Sequence, residues 1–442
     1  MKQKLVSVAT AAMLLMSFAL AGCSSGGDGN GSSGGDGSKD ITTITLWHME
    51  NTPQRIERFN KVFEKFNESH PNIKIKAQAQ SWDDAYSEIP AAIRAGNGPD
   101  LLFTLPDYTT LIKKLGVVQP VDDIVKTLDD KYHFLKSSLA PYQYGGHTWA
   151  VPAYGMVQVL WYRKDKFEKA GLEPPKTWDD LLKATKKLSS DGAYGIALPA
   201  SKSLATDQVI YSFMVAGGAK EIIDENNKVT FNKPETVKAY KFYAELLNYS
   251  PKDSTTFKWA EPQALFNKGK AAMAVEKGQY LSPFEKKSGQ PASNLGVVPV
   301  PSAENGEQGS IYYSNGMMVL TKDKEKQRAI AEFLKYLYKP KNYSEFVNAD
   351  PGLFLPVTKA GLNAESYWKN PVISKYKDQV KVLLEAAKNG YLFGFVNGVS
   401  TEVGSISGPN YLAQTLQKIV VDGMSPKEAV EWGQKQMEKA VE

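Results

Sequence analysis

Aromatic and acidic side chains recur side by side where the chain pattern predicts that strands end. Trp47-His48 closes the alternating run Ile41–Met49, and Ser81-Trp82-Asp83 follows the alternating run Ile73, Ile75, Ala77 and Ala79. Asp107 and Tyr108 follow the apolar stretch Leu101-Leu102-Phe103. A large ring packs well on an apolar C–H face, while Asp, Glu, Asn and Gln accept from neighbouring hydroxyls. Together they suit a polyhydroxylated ligand such as a sugar. Hydrolysis of a sugar would need two carboxylates facing each other across the scissile bond. Asp83, Asp107 and Glu261 are available, but no spacing pairs them. Gly404-Ser405-Ile406-Ser407-Gly408 has isoleucine where a nucleophile elbow needs serine, and no Walker phosphate loop is present. The single cysteine, Cys23, excludes an intrachain disulfide and a Cys-based zinc site. His48, His70, His133 and His147 stand far apart, without metal-site spacing. The residues point to binding without catalysis, metal or cofactor.

The remainder of the chain must position those groups. Its 442 residues suffice for two or three domains, and 42% hydrophobic with 23% charged residues is ordinary for a globular protein. The formal charge is +5, and the basic residues are scattered and include only five arginines, so nucleic acid is not an expected partner. Lys2 and Lys4 precede an apolar run from Leu5 to Ala19, the layout of an export signal. Leu20-Ala21-Gly22-Cys23 resembles a bacterial lipobox, which implies cleavage before Cys23 and lipidation of that residue. An ordinary secretory signal is the alternative. Loss of residues 1–22 would remove Lys2 and Lys4 and lower the charge by two. Ser24–Ser38 contains only small and polar residues and reads as a tether with a reach of roughly 20 Å. Gly29, Gly31 and Gly34 match a dinucleotide fingerprint by letters alone, since no strand precedes them and no helix follows.

The folded body begins near Ile41. Thr52-Pro53 starts a helix whose apolar face is Ile56, Phe59, Phe63 and Phe66. A second strand follows, then a helix expected over Trp82–Ala95 and a third strand at Leu101, a β-α-β-α-β order that predicts a parallel sheet. Val157–Tyr162 reads as a strand and Thr177 as the cap of a helix with early acids. Helices are expected at Pro234–Leu247, Pro262–Lys268 and Glu325–Tyr338, with strands at Leu295–Val300 and Met317–Leu320. The fold class is α/β in two lobes.

Several segments together resemble the extracellular solute-binding lipoproteins of ABC importers, in the carbohydrate-binding group related to maltose-binding protein. They are Ile44-Thr45-Leu46-Trp47, Phe63-Glu64-Lys65-Phe66 leading to His70-Pro71-Asn72-Ile73, and Ala95–Leu101. Trp149–Pro152, Leu160–Asp165, Pro175–Trp178, Lys268–Met273 and Gly352–Pro356 complete the set. The resemblance implies the type II periplasmic-binding-protein fold, with a ligand cleft between two lobes. Lobe one would be 41–153 plus 313–362 and lobe two 154–312 plus 363–442. It implies a protein that is not an enzyme and that passes an oligosaccharide to membrane permease subunits. It would be a monomer, held on the extracytoplasmic face of the membrane by lipid on Cys23. A polyamine or peptide on the same fold, or a secreted glycoside hydrolase, is the alternative.

The candidate ligand-binding residues are Trp47, His48, Glu50, Trp82, Asp83, Asp107, Tyr154, Trp259, Gln279, Tyr280, Asn315 and Phe393. Tyr154 falls at the implied lobe crossing, and Trp259 where the family tends to place a stacking ring. Each has a structural alternative. His48 can bond its own backbone, Glu50 and Asp83 can cap helices, Asp107 and Asn315 can shape turns, and the rings can be core.

Overall fold

The computed structural model describes residues 41–442 except 191 and 304–307. Cys23, the export signal and the tether therefore lie outside the described residues. The first three strands are β1 (Thr42–His48), β2 (Ile73–Ala79) and β3 (Leu101–Thr104). β1 lies between the other two and runs parallel to both, with Ile44 opposite Ile75 and Leu46 opposite Leu101. Helices α1 (Pro53–Ser69) and α2 (Ala85–Arg94) make the crossovers, as parallel neighbours require. Phe59, Val62, Phe63 and Phe66 form the buried stripe of α1, at helical spacing.

The helix expected at Trp82 starts three residues later. The Ser81 hydroxyl accepts the Asp83 N–H at 3.1 Å and the Ser81 carbonyl accepts the Asp84 N–H at 3.4 Å. This local turn competes with helix and leaves the Trp82 and Asp83 side chains free to project. Helix α3 (Pro106–Lys113) follows β3.

The strand expected at Val157–Tyr162 is β5 (Val159–Arg163), and a further strand, β4 (Val151–Val157), precedes it across a break at Gln158. Three more strands, β6 (Tyr194–Ala197), β7 (Ala271–Glu276) and β8 (Leu295–Val298), complete a second sheet in the order β8-β5-β7-β6. Around it pack α4 (Trp178–Leu188), α5 (Leu204–Ala216), α6 (Pro234–Leu247) and α7 (Ala260–Asn267). Thr177 and Asp180 close a reciprocal capping box on α4, as the sequence suggests.

Strand β9 (Ser310–Val319) is longer than the four residues expected from sequence. It returns to the first sheet antiparallel to β3 and to β4, while its first residues pair with β10 (Gly390–Tyr391). Asn315-Gly316 suggests a turn, yet it sits at a bulge inside β9. Glycine serves close approach here, because a Cβ on Gly316 would lie 2.8 Å from the Tyr142 ring. The paired β4 and β9 carry the chain between the two sheets, and the architecture is α/β in two lobes. Buried apolar side chains form one continuous cluster from Ile44 and Phe59 to Trp161, Phe213 and Met273. No helix among the described residues is long and apolar enough to cross a membrane.

Candidate functional site

A cavity of about 330 Å³ lies where the loops after β1 and β2 meet the start of α7 and the turn after β7. The first sheet contributes Glu50, Asn51, Arg55, Trp82, Asp83 and Leu353, and the second side contributes Leu204, Gln208, Trp259, Gln263, Lys277 and Gln279. Met156, Tyr313 and Asn315, on the two connecting strands, form its floor. Of the candidates from sequence, the cavity brings together Glu50, Trp82, Asp83, Trp259, Gln279 and Asn315. The site sits beyond the carboxyl ends of β1 and β2, where open α/β sheets place ligands.

The other six candidates do not reach this wall. Strand β1 runs through Trp47 and His48, so the alternation turns Trp47 to the opposite face from His48. His48 is buried edge-on against Phe59, and its Nδ1 accepts the Glu50 N–H at 3.2 Å. Tyr154 is buried behind the wall and donates its hydroxyl to Glu50 Oε1 at 2.9 Å. Tyr280 stacks on Trp161 at 5.6 Å inside the second lobe. Asp107 and Phe393 line a separate void of about 10 Å³. Asp107 accepts the Tyr86 hydroxyl at 2.6 Å, and burial pushes its carboxyl above the ordinary value. Phe393 packs edge-on against Tyr211.

The charges of the wall are satisfied locally. Arg55 donates to Glu50 at 3.0 Å and to Asp350 at 2.7 Å, and the two carboxylates more than offset the effect of burial to raise its pKa. Burial holds Lys277 below the ordinary lysine value, against the pull of Glu276, whose carboxylate is 3.2 Å away. Its ammonium also lies 3.8 Å from the centre of the Trp259 ring. Asp83 pairs with Lys258 at 2.7 Å and does not cap α2. Two buried acceptors, Gln279 Oε1 and Asn315 Oδ1, have no hydrogen-bond partner. Such atoms are costly to leave unpaired.

Gly278 lets the turn between Lys277 and Gln279 press against the opposite loop. A Cβ there would stand 1.9 Å from the Gly352 carbonyl oxygen. Sequence reasoning passed over Arg55, Gln208, Gln263, Lys277 and Tyr313. The usable signal for Gln208 is its place, with Asp207, in a helix that is otherwise almost wholly apolar. Three larger grooves lie elsewhere, of which one of about 640 Å³ is lined by Asp179, Leu182, Lys183, Lys186 and Lys187 and has no aromatic ring. A second, of about 700 Å³, is lined by Arg58, Lys61, Lys65 and Lys341 and has no aromatic ring. The third, of about 720 Å³, is reached from the opposite face of β9, through Tyr312. The first two lack stacking rings, and the third sets its rings beside Gln143 and Asn397 without a carboxylate. Among the described residues no cluster of three His, Cys, Asp or Glu side chains is placed to hold a metal ion.

The position of His48 has a measurable consequence. Burial holds its pKa at about 4 in the folded chain, against 6.5 ordinarily. Between those values the unfolded state binds more protons, so stability falls as pH drops through that window. His48→Gln should remove about 3 kcal/mol of the stability lost between pH 7 and pH 4, from the size of the shift. Urea unfolding of both proteins across that range checks this. Asp107, Asp207 and Asp350, whose raised values act in the opposite sense, are common to both proteins and cancel.

Known proteins share this fold. Residues 52–344 match the family pattern described as bacterial extracellular solute-binding protein. The chain is 26% identical to the putative ABC transporter periplasmic-binding protein YcjN of Escherichia coli (strain K12), over 91% of this chain and 94% of that one. It is 29% identical to the sn-glycerol-3-phosphate-binding periplasmic protein UgpB of Shigella dysenteriae, over 75% and 78%. Among solved structures, the GacH receptor of Streptomyces glaucescens, solved unliganded and with acarbose, superposes with a TM-score of 0.77 at 22% identity, covering 91% of this chain and 98% of that one. A sugar transporter from Arthrobacter chlorophenolicus with bound laminaribiose gives 0.77 at 21%, covering 90% and 99%. With the match spanning about two thirds of its length, the chain belongs to the bacterial extracellular solute-binding protein family.

Proposed function

We propose that the cavity captures an uncharged sugar, in the form of a short oligosaccharide, and that the loaded protein delivers it to the permease of an ABC importer. The observation that carries this reading is the pairing of Trp82 and Trp259 from opposite sides with the unpartnered acceptors of Gln279 and Asn315. The rings supply stacking surface and the amides receive hydroxyls. A phosphate ester is disfavoured because Arg55 and Lys277 already face carboxylates, and a polyamine because Glu50 and Asp83 already face cations. The names of the structural neighbours that bind acarbose and laminaribiose support the sugar reading.

Lobe one is taken as 41–153 plus 313–362 and lobe two as 154–312 plus 363–442, with β4 and β9 as the hinge. Glu50, Trp82, Asp83, Trp259, Gln279 and Asn315 are the assigned contacts. A ligand touching both lobes favours their closure by its differential affinity for the closed form. Calorimetric titration with neutral mono- to hexasaccharides and with glycerol 3-phosphate tests the reading. Binding of a sugar without the phosphate supports it, and the reverse overturns it.

The protein acts as a monomer on the extracytoplasmic face of the membrane, anchored by lipid on Cys23. The sequence Leu20-Ala21-Gly22-Cys23 and the small-residue tether behind it support this assignment. Several buried acyl chains anchor stably, at about 0.8 kcal/mol per CH₂. Cys23→Ser should move the protein from the membrane pellet to the soluble fraction. Continued sedimentation with membranes would remove the anchor from the account.

A further inference from the structure

Two dipeptides of a ring and an opposite charge meet at the cavity, Trp82-Asp83 from the first sheet, both of which line it, and Lys258-Trp259 from the second, of which Trp259 lines it. Their rings border the cavity, and their charges meet in an ion pair at 2.7 Å. Both charged side chains are about half exposed, at 48% for Lys258 and 43% for Asp83. Each is held by its own turn. The Lys258 N–H donates to Glu261 Oε2 at 2.8 Å, and the Asp83 N–H donates to Ser81 Oγ at 3.1 Å. The cavity behind them, about 330 Å³, is at the small end of the roughly 300–1,000 Å³ range of ligand pockets, room for about one or two pyranose rings.

Resting on the sugar reading, we infer that the Asp83–Lys258 pair is a length gate that sets the preferred ligand at one or two sugar units. A longer chain has to leave the cavity between the two lobes, and the ion pair spans from one lobe to the other beside it. Exposed pairs are weak, so the gate is graded and does not exclude absolutely. Sugars of three or more units should bind about fivefold more weakly than the disaccharide, the range that breaking one exposed pair supplies. Lys258 does not line the cavity, so its replacement leaves the stacking rings and amides in place.

The test titrates the wild type, Lys258→Gln and Lys258→Arg with glucose ladders of one to six units in α-1,4, β-1,4 and β-1,3 linkage. The wild type and Lys258→Arg should prefer the short members of whichever ladder binds. Lys258→Gln should lose the preference, and so should the wild type at high salt, which screens an exposed pair. Equal affinity for all lengths in the wild type, or an unchanged preference in Lys258→Gln, overturns the gate and leaves the sugar reading standing. Failure of every ladder to bind overturns the sugar reading and the gate together.

Discussion

Trp259→Ala should weaken sugar binding about thirtyfold and leave the fold intact. A sugar face stacked on this ring buries about 50–80 Å² of apolar ligand surface and a similar part of the ring. At about 25 cal/mol per Å² that is on the order of 2–4 kcal/mol before ordering costs. A net loss of about 2 kcal/mol corresponds to roughly thirtyfold. Asn315→Ala removes one neutral acceptor, a loss of about 0.5–1.5 kcal/mol, and should cost less. Trp259 is half-buried and stands outside the continuous apolar cluster, whereas Trp82 packs against that cluster and meets Tyr108 edge-on. Trp82→Ala should therefore lower both affinity and stability. Calorimetry with circular dichroism as the folding control separates the two rings. Wild-type affinity in a folded Trp259→Ala protein would remove this ring from the site.

Arg55→Met should be the most destabilising single change near the cavity. Its guanidinium holds together Glu50, after β1, and Asp350, some three hundred residues later in the chain. Removing one partner of a buried ionic group costs about 3–5 kcal/mol, because the remaining charges keep their desolvation and lose their compensation. Burial already holds the Asp350 carboxyl above its ordinary value despite the pull of Arg55, and loss of the cation would raise it further. A carboxyl raised on folding contributes stability at low pH and loses it as pH rises. The deficit should therefore be larger at pH 8 than at pH 5. Urea unfolding at both values measures it, and a deficit independent of pH would mean that packing, and not charge, is the cause. Arg55→Lys should fall between the two, since a single ammonium lacks the fork that reaches both carboxylates.

Local patterns of this chain were legible where neighbours in sequence decide the outcome. The stripe Phe59, Phe63 and Phe66 and the cap at Thr177 follow from spacing alone. Six candidates lie on one wall because they follow strand ends, helix starts or the turn after β7, or sit on a connecting strand. Trp47 and His48 failed to reach it because both are paired residues of β1, and alternation then fixed both faces. Arg55 and Lys277 were missed for a different reason. Each reads as one more solvated cation until Asp350 or the Trp259 ring arrives from elsewhere in the fold. Tyr280 was overread, since a ring beside a cavity residue can equally stack inward on Trp161.

The place of β9 bears on how the chain is made. Strand β3, with all four residues buried, has β1 on one side and β9 on the other, the latter about two hundred residues later in the chain. While the chain emerges from its amino end, the first sheet therefore keeps an open apolar edge until the whole second sheet has been synthesised. Such contacts of long sequence separation slow folding and expose an edge that can pair wrongly. A chain translocated in an extended state meets no such interval, because both sides of β3 arrive before either folds. The same order predicts that truncation before residue 310 leaves the first lobe unable to close its sheet, so such fragments should be recovered as aggregates.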